Sequence, residues 1–206
     1  MSVKIKLCGM FREQDIDFAN EAMPDYIGFV LNFPKSHRNI DKITARKLKQ
    51  KLSPKIKSVG VFVNSPETAC AEYANCGIID LIQLHGGEDA EYIRRLRALT
   101  AVPIIKAVKV TCESDLINAD CGADFLLLDS GTGSGKAFNH EILHSAKITK
   151  PFFLAGGLTP ENIAQTAREF KPFAVDLSSG IETNRIKDRE KMIKAVTAAR
   201  NSGNGN

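Results

Sequence analysis

The sequence predicts a single α/β domain, a closed (β/α)8 TIM barrel, on three observations. The chain has 206 residues, which suffices for eight β/α units of about 26 residues each. Eight short apolar runs recur along it, and the segments between them open with helix-start signals. Strands that are apolar on both faces and alternate with helices form parallel sheets, because parallel connections need long crossovers.

The elements follow one another in a regular order. The predicted strands cover residues 3–7, 26–31, 57–63, 78–84, 103–110, 124–128, 151–154 and 172–177. Proline, acidic and cap residues mark the helix starts, as in Ser65-Pro66-Glu67, Gly87-Glu88-Asp89 and Thr159-Pro160-Glu161-Asn162. We expect the barrel to span residues 1–200 and a flexible tail to span 201–206, which contains only Gly, Asn and Ser.

An open doubly wound sheet is the competing architecture. It predicts a glycine-rich turn after the first strand. Cys8-Gly9-Met10-Phe11 holds one glycine there. The closed barrel is therefore favoured.

Composition excludes several classes of protein. The hydrophobic fraction of 43% and the net charge of +4 are not those of a disordered chain. No apolar run approaches the roughly 20 residues that a membrane span needs, so we expect neither a membrane anchor nor a secretory signal. The five cysteines form no CxxC pair, which favours a reduced, cytoplasmic protein.

The positive charge is concentrated in residues 35–57, which hold nine basic residues and one acidic residue. Within this segment Ala45, Leu48 and Leu52 have helical spacing, and no aromatic residues interleave with the charges. The pattern predicts a solvated amphipathic helix rather than a nucleic-acid-binding surface.

Polar residues stand at the carboxyl ends of four predicted strands, where such barrels carry their active sites. They are Cys8, His85, Asp129 and Asp176. Each also has a structural interpretation: the cysteine as a small buried residue, the aspartates as caps, and the histidine as a hydrogen-bonded rim residue. The residues alone leave both interpretations open.

Glycine-rich loops follow the last two predicted strands. Gly156-Gly157 ends the seventh unit, and Ser179-Gly180 ends the eighth. Adjacent loops of this kind expose backbone N–H groups at the place where these barrels bind phosphate. The sequence therefore favours a phosphorylated small-molecule substrate, although two tight turns would give the same pattern.

A rival motif is His140-Glu141-Ile142-Leu143-His144, an H-E-x-x-H string. On a helix it would place His140 and His144 on zinc with Glu141 as base. It falls on the predicted sixth outer helix, and no third ligand can be named. A zinc hydrolase stays an alternative on this motif alone.

A series of short motifs runs through nearly the whole chain in order: Lys6-Leu7-Cys8-Gly9, Gly28-Phe29-Val30, Pro34-Lys35-Ser36-His37-Arg38, Gln83-Leu84-His85-Gly86, Leu127-Leu128-Asp129-Ser130, Leu154-Ala155-Gly156-Gly157-Leu158, Val175-Asp176-Leu177-Ser178-Ser179-Gly180-Ile181-Glu182 and Lys187-Asp188. Together they closely resemble the phosphoribosylanthranilate isomerase family of tryptophan biosynthesis. The chain departs from the family pattern at two places, Asn139-His140 and Arg185.

The resemblance implies an Amadori rearrangement of an aminoaldose to an aminoketose, with no metal or other cofactor. It implies that Asp129 is the general acid and that Cys8 is the general base, with a thiol pKa below the ordinary value of about 8.5. Arg38 would bind the anthranilate carboxylate, and Asp176 and His85 would lie near the sugar.

The same resemblance implies that the phosphate is held by Gly156, Gly157, Ser179 and Gly180. We expect a monomer or homodimer with no nucleic-acid or membrane partner. Another phosphate-binding barrel, such as an epimerase or indole-glycerol-phosphate synthase, is the nearest alternative. The synthase would need catalytic lysine and glutamate residues, for which Cys8 is no replacement.

Overall fold

The computed structural model describes residues 2–112, 115, 121–129 and 148–203. Its strands are, in chain order, β1 (Lys4–Cys8), β2 (Tyr26–Leu31), β3 (Asn39–Ile40), β4 (Lys57–Phe62), β5 (Leu81–Leu84), β6 (Ile104–Lys109), β7 (Phe125–Asp129), β8 (Phe152–Ala155), β9 (Ala174–Leu177), β10 (Glu182–Thr183) and β11 (Ile186–Lys187). The helices of the described residues are α1 (Glu13–Ala22), α2 (Lys42–Lys51), α3 (Glu67–Asn75), α4 (Ala90–Arg97), α5 (Ile163–Phe170) and α6 (Arg189–Asn201).

Eight of these strands close into a parallel barrel. The ring runs β1, β2, β4, β5, β6, β7, β8 and β9, and β1 completes it by pairing with both β2 and β9. Leu7 is the register partner of Ile27 on one side and of Leu177 on the other. The predicted closed barrel is confirmed, and the open sheet is excluded because β1 has a strand on each side.

Each predicted strand overlaps one of the eight barrel strands. The sequence did not predict β3, which extends the sheet beside β2, or the antiparallel β10–β11 hairpin after the last barrel strand. Each of these strands is two residues long, which is too short to produce a periodic pattern.

Alternation along β1 shows how the strands divide their side chains between two layers. Ile5 and Leu7 are fully buried in the core between barrel and helices. Lys6 and Cys8 point to the other face, into the barrel, because successive side chains of a strand lie on opposite faces. A separate apolar cluster from other strands, including Val59, fills the barrel interior.

Helix starts agree with the predicted signals. Pro66 and Asn162 are the residues before α3 and α5, and the Asp89 carboxylate accepts a hydrogen bond from the Tyr92 amide at the start of α4. This contact satisfies a backbone donor that the first helical turn leaves without an intrahelical partner.

The basic segment forms α2, and its lysines meet acidic residues of neighbouring elements. Lys49 lies 2.6 Å from Asp80, and Lys51 lies 2.8 Å from Asp17. Ala45 and Leu48 are buried beneath. The helix is the amphipathic surface helix that the spacing predicts.

The last described helix, α6, ends at Asn201. Ser202 is buried, and its hydroxyl oxygen accepts a hydrogen bond from the Val3 amide at 3.2 Å. This hydrogen bond joins the residue after α6 to the residue before β1. The flexible tail over residues 201–206 stays a prediction. In the described part of the chain, no helix has the length and apolarity to cross a bilayer.

Candidate active site

A cavity of about 530 Å³ opens at the carboxyl ends of the barrel strands. Eight of the nine predicted site residues line it: Cys8, Arg38, His85, Asp129, Gly156, Gly157, Asp176 and Ser179. They come from six separate parts of the chain, so only the barrel topology can bring them together. This is the face at which the loops of such barrels assemble a site.

Two glycines make room for Cys8 and Arg38. Gly28 is the register partner of Cys8 on β2, and a Cβ at this position would lie 2.6 Å from the Cys8 Sγ. Gly9 has a φ of +83°, and a Cβ there would lie 2.4 Å from the Arg38 Cδ. Both distances are far below van der Waals contact, so these glycines allow the thiol and the guanidinium to reach the cavity.

A buried ion pair lies next to Cys8 inside the barrel. Lys6 and Asp176 are register partners on β1 and β9, so their side chains share a face, and the Lys6 Nζ lies 2.7 Å from the Asp176 Oδ2. The Lys6 side chain is fully buried. The other carboxylate oxygen, Oδ1, has no hydrogen-bond partner among the described residues. Asp176 itself lines the cavity, although this oxygen is buried.

The charge balance at Cys8 differs from the expectation. Desolvation raises the pKa of the Cys8 thiol, and the repulsion of Asp176 adds to this, while Lys6 and Lys187 oppose the rise. The expected lowering of the Cys8 pKa is therefore wrong, because removal of the thiol from water outweighs the nearby ammonium groups.

Arg38 belongs to a second ionic group. Its Nε and Nη2 donate to the two Glu182 oxygens at 2.7 and 2.6 Å. Lys187, itself fully buried, lies 2.7 Å from the Glu182 Oε1 and also donates to the Ser178 carbonyl at 3.0 Å. Although burial opposes it, the two cations lower the pKa of Glu182 to about 2. The fork uses two of the five guanidinium donors of Arg38, and the others remain for a further acceptor.

His85 and Asp129 face the cavity from the other side. The His85 Nε2 lies 3.6 Å from the Asp129 Oδ2, and the Gln83 amide nitrogen lies 2.9 Å from the His85 Nδ1. Behind them the Glu88 carboxylate accepts from the Gly86 amide at 2.8 Å and pairs with the buried Lys106 at 2.9 Å. These contacts fix the loop that carries His85.

The glycine-rich loops lie at the edge of the cavity. Gly156 and Gly157 have φ values of +96° and +64°, a backbone conformation that side chains disfavour. Ser179 begins a single turn of 3-10 helix, and both glycines and Ser179 line the cavity. Gly180 does not line it: a Cβ at this position would lie 2.0 Å from the Leu158 carbonyl oxygen. Gly180 lets the two loops pack closely.

Sequence reasoning missed Lys6, Glu182, Lys187 and Gln83 as residues of the site. All four belong to motifs of the resemblance but carried no role there. Lys6 had a further signal, a charged residue within an apolar strand, which is rare unless the charge is paired.

The H-E-x-x-H motif, together with Asn139-His140, lies outside the described residues. Within the residues that are described, no three His, Cys, Asp or Glu side chains gather in a group that would hold a metal ion.

A closed parallel barrel with a thiol, a carboxylate and paired cations around one cavity defines the class of protein, a (β/α)8-barrel enzyme. The model of the N-(5'-phosphoribosyl)anthranilate (PRA) isomerase family matches residues 5–198. The chain belongs to this family.

Relatives of this family match the chain over nearly its whole length. The chain is 45% identical over 202 residues to an N-(5'-phosphoribosyl)anthranilate isomerase of Endomicrobium trichonymphae. The alignment covers 96% of this chain and 98% of the relative. Among solved structures, a phosphoribosylanthranilate isomerase in complex with reduced 1-(o-carboxyphenylamino)-1-deoxyribulose 5-phosphate superimposes with a TM-score of 0.83 at 33% identity, over 96% of this chain and 98% of that one. Monomers generated from the dimeric isomerase of Thermotoga maritima give a TM-score of 0.84 at 34% identity, with 96% and 98% covered.

Proposed function

We propose that this enzyme converts N-(5-phosphoribosyl)anthranilate to 1-(2-carboxyphenylamino)-1-deoxyribulose 5-phosphate by general acid and base catalysis, a step of tryptophan biosynthesis. One observation supports the assignment of roles: Cys8 ends β1, Asp129 ends β7, and both side chains line one cavity. The two strands are separated in the ring by β8 and β9. A sugar in the cavity would therefore have an acid and a base on different sides.

The reaction needs two proton transfers. Asp129, in its protonated form, gives a proton to the furanose ring oxygen, and the C1–O bond breaks to leave a Schiff base between C1 and the anthranilate nitrogen. Cys8, as thiolate, takes the proton from C2, and the electron pair moves toward the nitrogen to give an enolamine. Tautomerisation of the enolamine yields the ketose. His85, 3.6 Å from the Asp129 carboxylate, and Asp176 would lie near the sugar.

The two anionic ends of the substrate have separate partners in this proposal. Arg38 binds the anthranilate carboxylate through the donors that Glu182 leaves, since a planar guanidinium suits a carboxylate. The amides of Gly156, Gly157 and the Ser179–Gly180 turn hold the phosphate, because backbone N–H groups in glycine loops form anion-binding concavities. Gly180 contributes by the close packing of its loop on Leu158.

The raised pKa of Cys8 affects how the base forms. Because the pKa of the Cys8 thiol is raised, the thiol holds its proton at neutral pH, and the reactive thiolate is the minor form. The Lys6 ammonium lowers the pKa of Cys8 by attraction and limits the penalty of desolvation. The chemistry therefore depends on the buried charges around Cys8 as well as on the thiol itself.

The direct test is to generate phosphoribosylanthranilate in situ and follow the loss of its fluorescence when the protein is added. We expect a first-order decay whose rate is proportional to enzyme concentration. A decay no faster than the spontaneous background would refute the activity. The isomerised product keeps the mass of the substrate, whereas hydrolysis releases anthranilate, so detection of anthranilate by mass spectrometry separates hydrolysis from isomerisation.

We further propose that the enzyme acts on this small sugar phosphate as a monomer or homodimer, without nucleic-acid or membrane partners. The acidic residues beside α2 support the absence of a nucleic-acid partner, since they neutralise its lysines. None of the five cysteines, all of which lie among the described residues, forms a disulfide, which supports a reducing compartment, the cytoplasm.

A further inference from the structure

Lys187 carries a buried charge that the proposed chemistry does not use. It lies in β11, its side chain is 0% exposed, and its ammonium group is 2.7 Å from the Glu182 Oε1. A lysine is rarely buried to this extent, because its charge loses hydration. Burial lowers the pKa of Lys187 even though Glu182 raises it. The buried position is therefore unfavourable for the charged form of this lysine.

Ser178 connects Lys187 to Cys8. The Ser178 carbonyl accepts a hydrogen bond from the Lys187 Nζ at 3.0 Å, and the Ser178 hydroxyl donates to the Cys8 carbonyl at 3.3 Å. Ser178 itself lines the cavity. One residue therefore joins the buried ammonium to the backbone of the proposed base.

Four charged groups act on the Cys8 thiol, each from a different element: Lys6 of β1, Asp176 of β9, Lys187 of β11 and Arg38 of the segment between β2 and β3. His85 and Asp129 line the same cavity from β5 and β7. Lys187 in turn faces Glu182, Arg38 and Cys8.

The charges of this cluster do not balance while Cys8 is a thiol. Asp176 offsets Lys6, and the single Glu182 carboxylate serves both Arg38 and Lys187. Among the described residues of the cluster, three cations thus meet two carboxylates. A negative charge on Cys8 would complete the balance, and the interaction of opposite charges in a site away from water is strong.

We propose that Lys187 is a positioning residue for the reaction: held by Glu182 and by the Ser178 carbonyl, its buried ammonium supplies the positive charge that stabilises the Cys8 thiolate. This inference rests on the proposed role of Cys8 as the base. Lys187 acts through Cys8 and does not touch the substrate.

The test measures the thiolate directly. Purified protein is alkylated with iodoacetamide across a pH series, and modification of the Cys8 peptide is followed by mass spectrometry, which separates Cys8 from the other cysteines. For Lys187→Gln we expect the thiolate fraction at pH 7 to fall about tenfold, because the pKa of Cys8 rises when a neighbouring positive charge is removed. Lys187→Arg, which retains the charge, should restore most of it.

Glu182→Gln is the matched variant, because it breaks the same 2.7 Å ion pair from the other side. It removes a negative charge and leaves an amide oxygen that can still accept a hydrogen bond from Lys187, so it should not reduce the thiolate fraction. Lys106→Gln removes another buried lysine that is paired with a carboxylate, Glu88, and should leave Cys8 alkylation unchanged. Circular dichroism confirms that each variant is folded.

An equal fall in Glu182→Gln and Lys187→Gln would overturn the proposal, since it would show that lost packing, and not lost charge, changes Cys8. An unchanged Cys8 titration in a folded Lys187→Gln protein would overturn it as well. If Lys187→Gln does not fold, a wild-type titration in Lys187→Arg supports the proposal, and a tenfold loss there contradicts it. Because alkylation requires no turnover, failure of the proposed isomerase activity would be recognised separately in the fluorescence assay.

Discussion

Replacing Gly28 by alanine adds a single methyl group, which should disturb the site. The new Cβ would lie 2.6 Å from the Cys8 Sγ and 3.2 Å from the Cys8 Cα, so the thiol or the β1–β2 pairing must shift. Overpacking of this kind costs about 1–3 kcal/mol of unfolding free energy. For a chain of this size each kcal/mol lowers Tm by about 2–4 °C. Displacing the base by about 1 Å should also lower kcat by roughly 100-fold.

Two assays check this prediction: thermal unfolding by circular dichroism, and steady-state kinetics from the fluorescence of phosphoribosylanthranilate. Gly87→Ala is the control, because its nearest contact for a new Cβ is the Asn64 Oδ1 at 3.8 Å, which is ordinary van der Waals distance. The control should keep its Tm and kcat. If Gly28→Ala has the Tm and kcat of the wild type, catalysis does not depend on the close packing of Cys8 against Gly28.

Four further predictions concern the proposed chemistry. Cys8→Ser and Asp129→Asn should each lower kcat by about 10²–10⁴ with little change in KM, and near-normal turnover by Cys8→Ser would remove the thiolate base. Arg38→Ala should mainly raise KM, because it removes a binding contact; a loss confined to kcat would contradict this. Since the pKa of Cys8 is raised, kcat/KM of the wild type should still be rising with pH near 8.5, and a plateau reached well below that pH would argue against it. EDTA treatment and His140→Ala should leave activity unchanged, whereas a loss in both, restored to the EDTA-treated enzyme by zinc, would favour the zinc alternative.

The barrel could be predicted from sequence because its signal is local and repeated. Each parallel strand, buried on both faces, appears as a short apolar run, and the prolines and acidic caps mark the helices. The β10–β11 hairpin could not be predicted in this way. Asn184 and Arg185 in its turn have φ values of +53° and +64°, a conformation in which arginine is uncommon.

The candidate site was only partly visible in the sequence. Cys8 and Asp129 stand at strand ends, where chemistry is expected, but the partner of Lys6 is Asp176, 170 residues away. A strand register that joins the two ends of the chain cannot be obtained from local pattern. For the same reason the direction of the Cys8 pKa change was wrong: it depends on how much water the folded barrel removes from the thiol, which sequence spacing does not measure.

The pairing of β1 with β9 has a consequence for how the protein is made. Cys8 is synthesised well before Asp176 and Lys187, which act on it. Until residues 174–187 emerge, β1 has an open edge where β9 later pairs, an arrangement prone to unwanted strand association. A nascent chain that lacks these residues therefore contains the proposed base without its electrostatic surroundings, and competence for turnover arises only after residues 174–187 have been made.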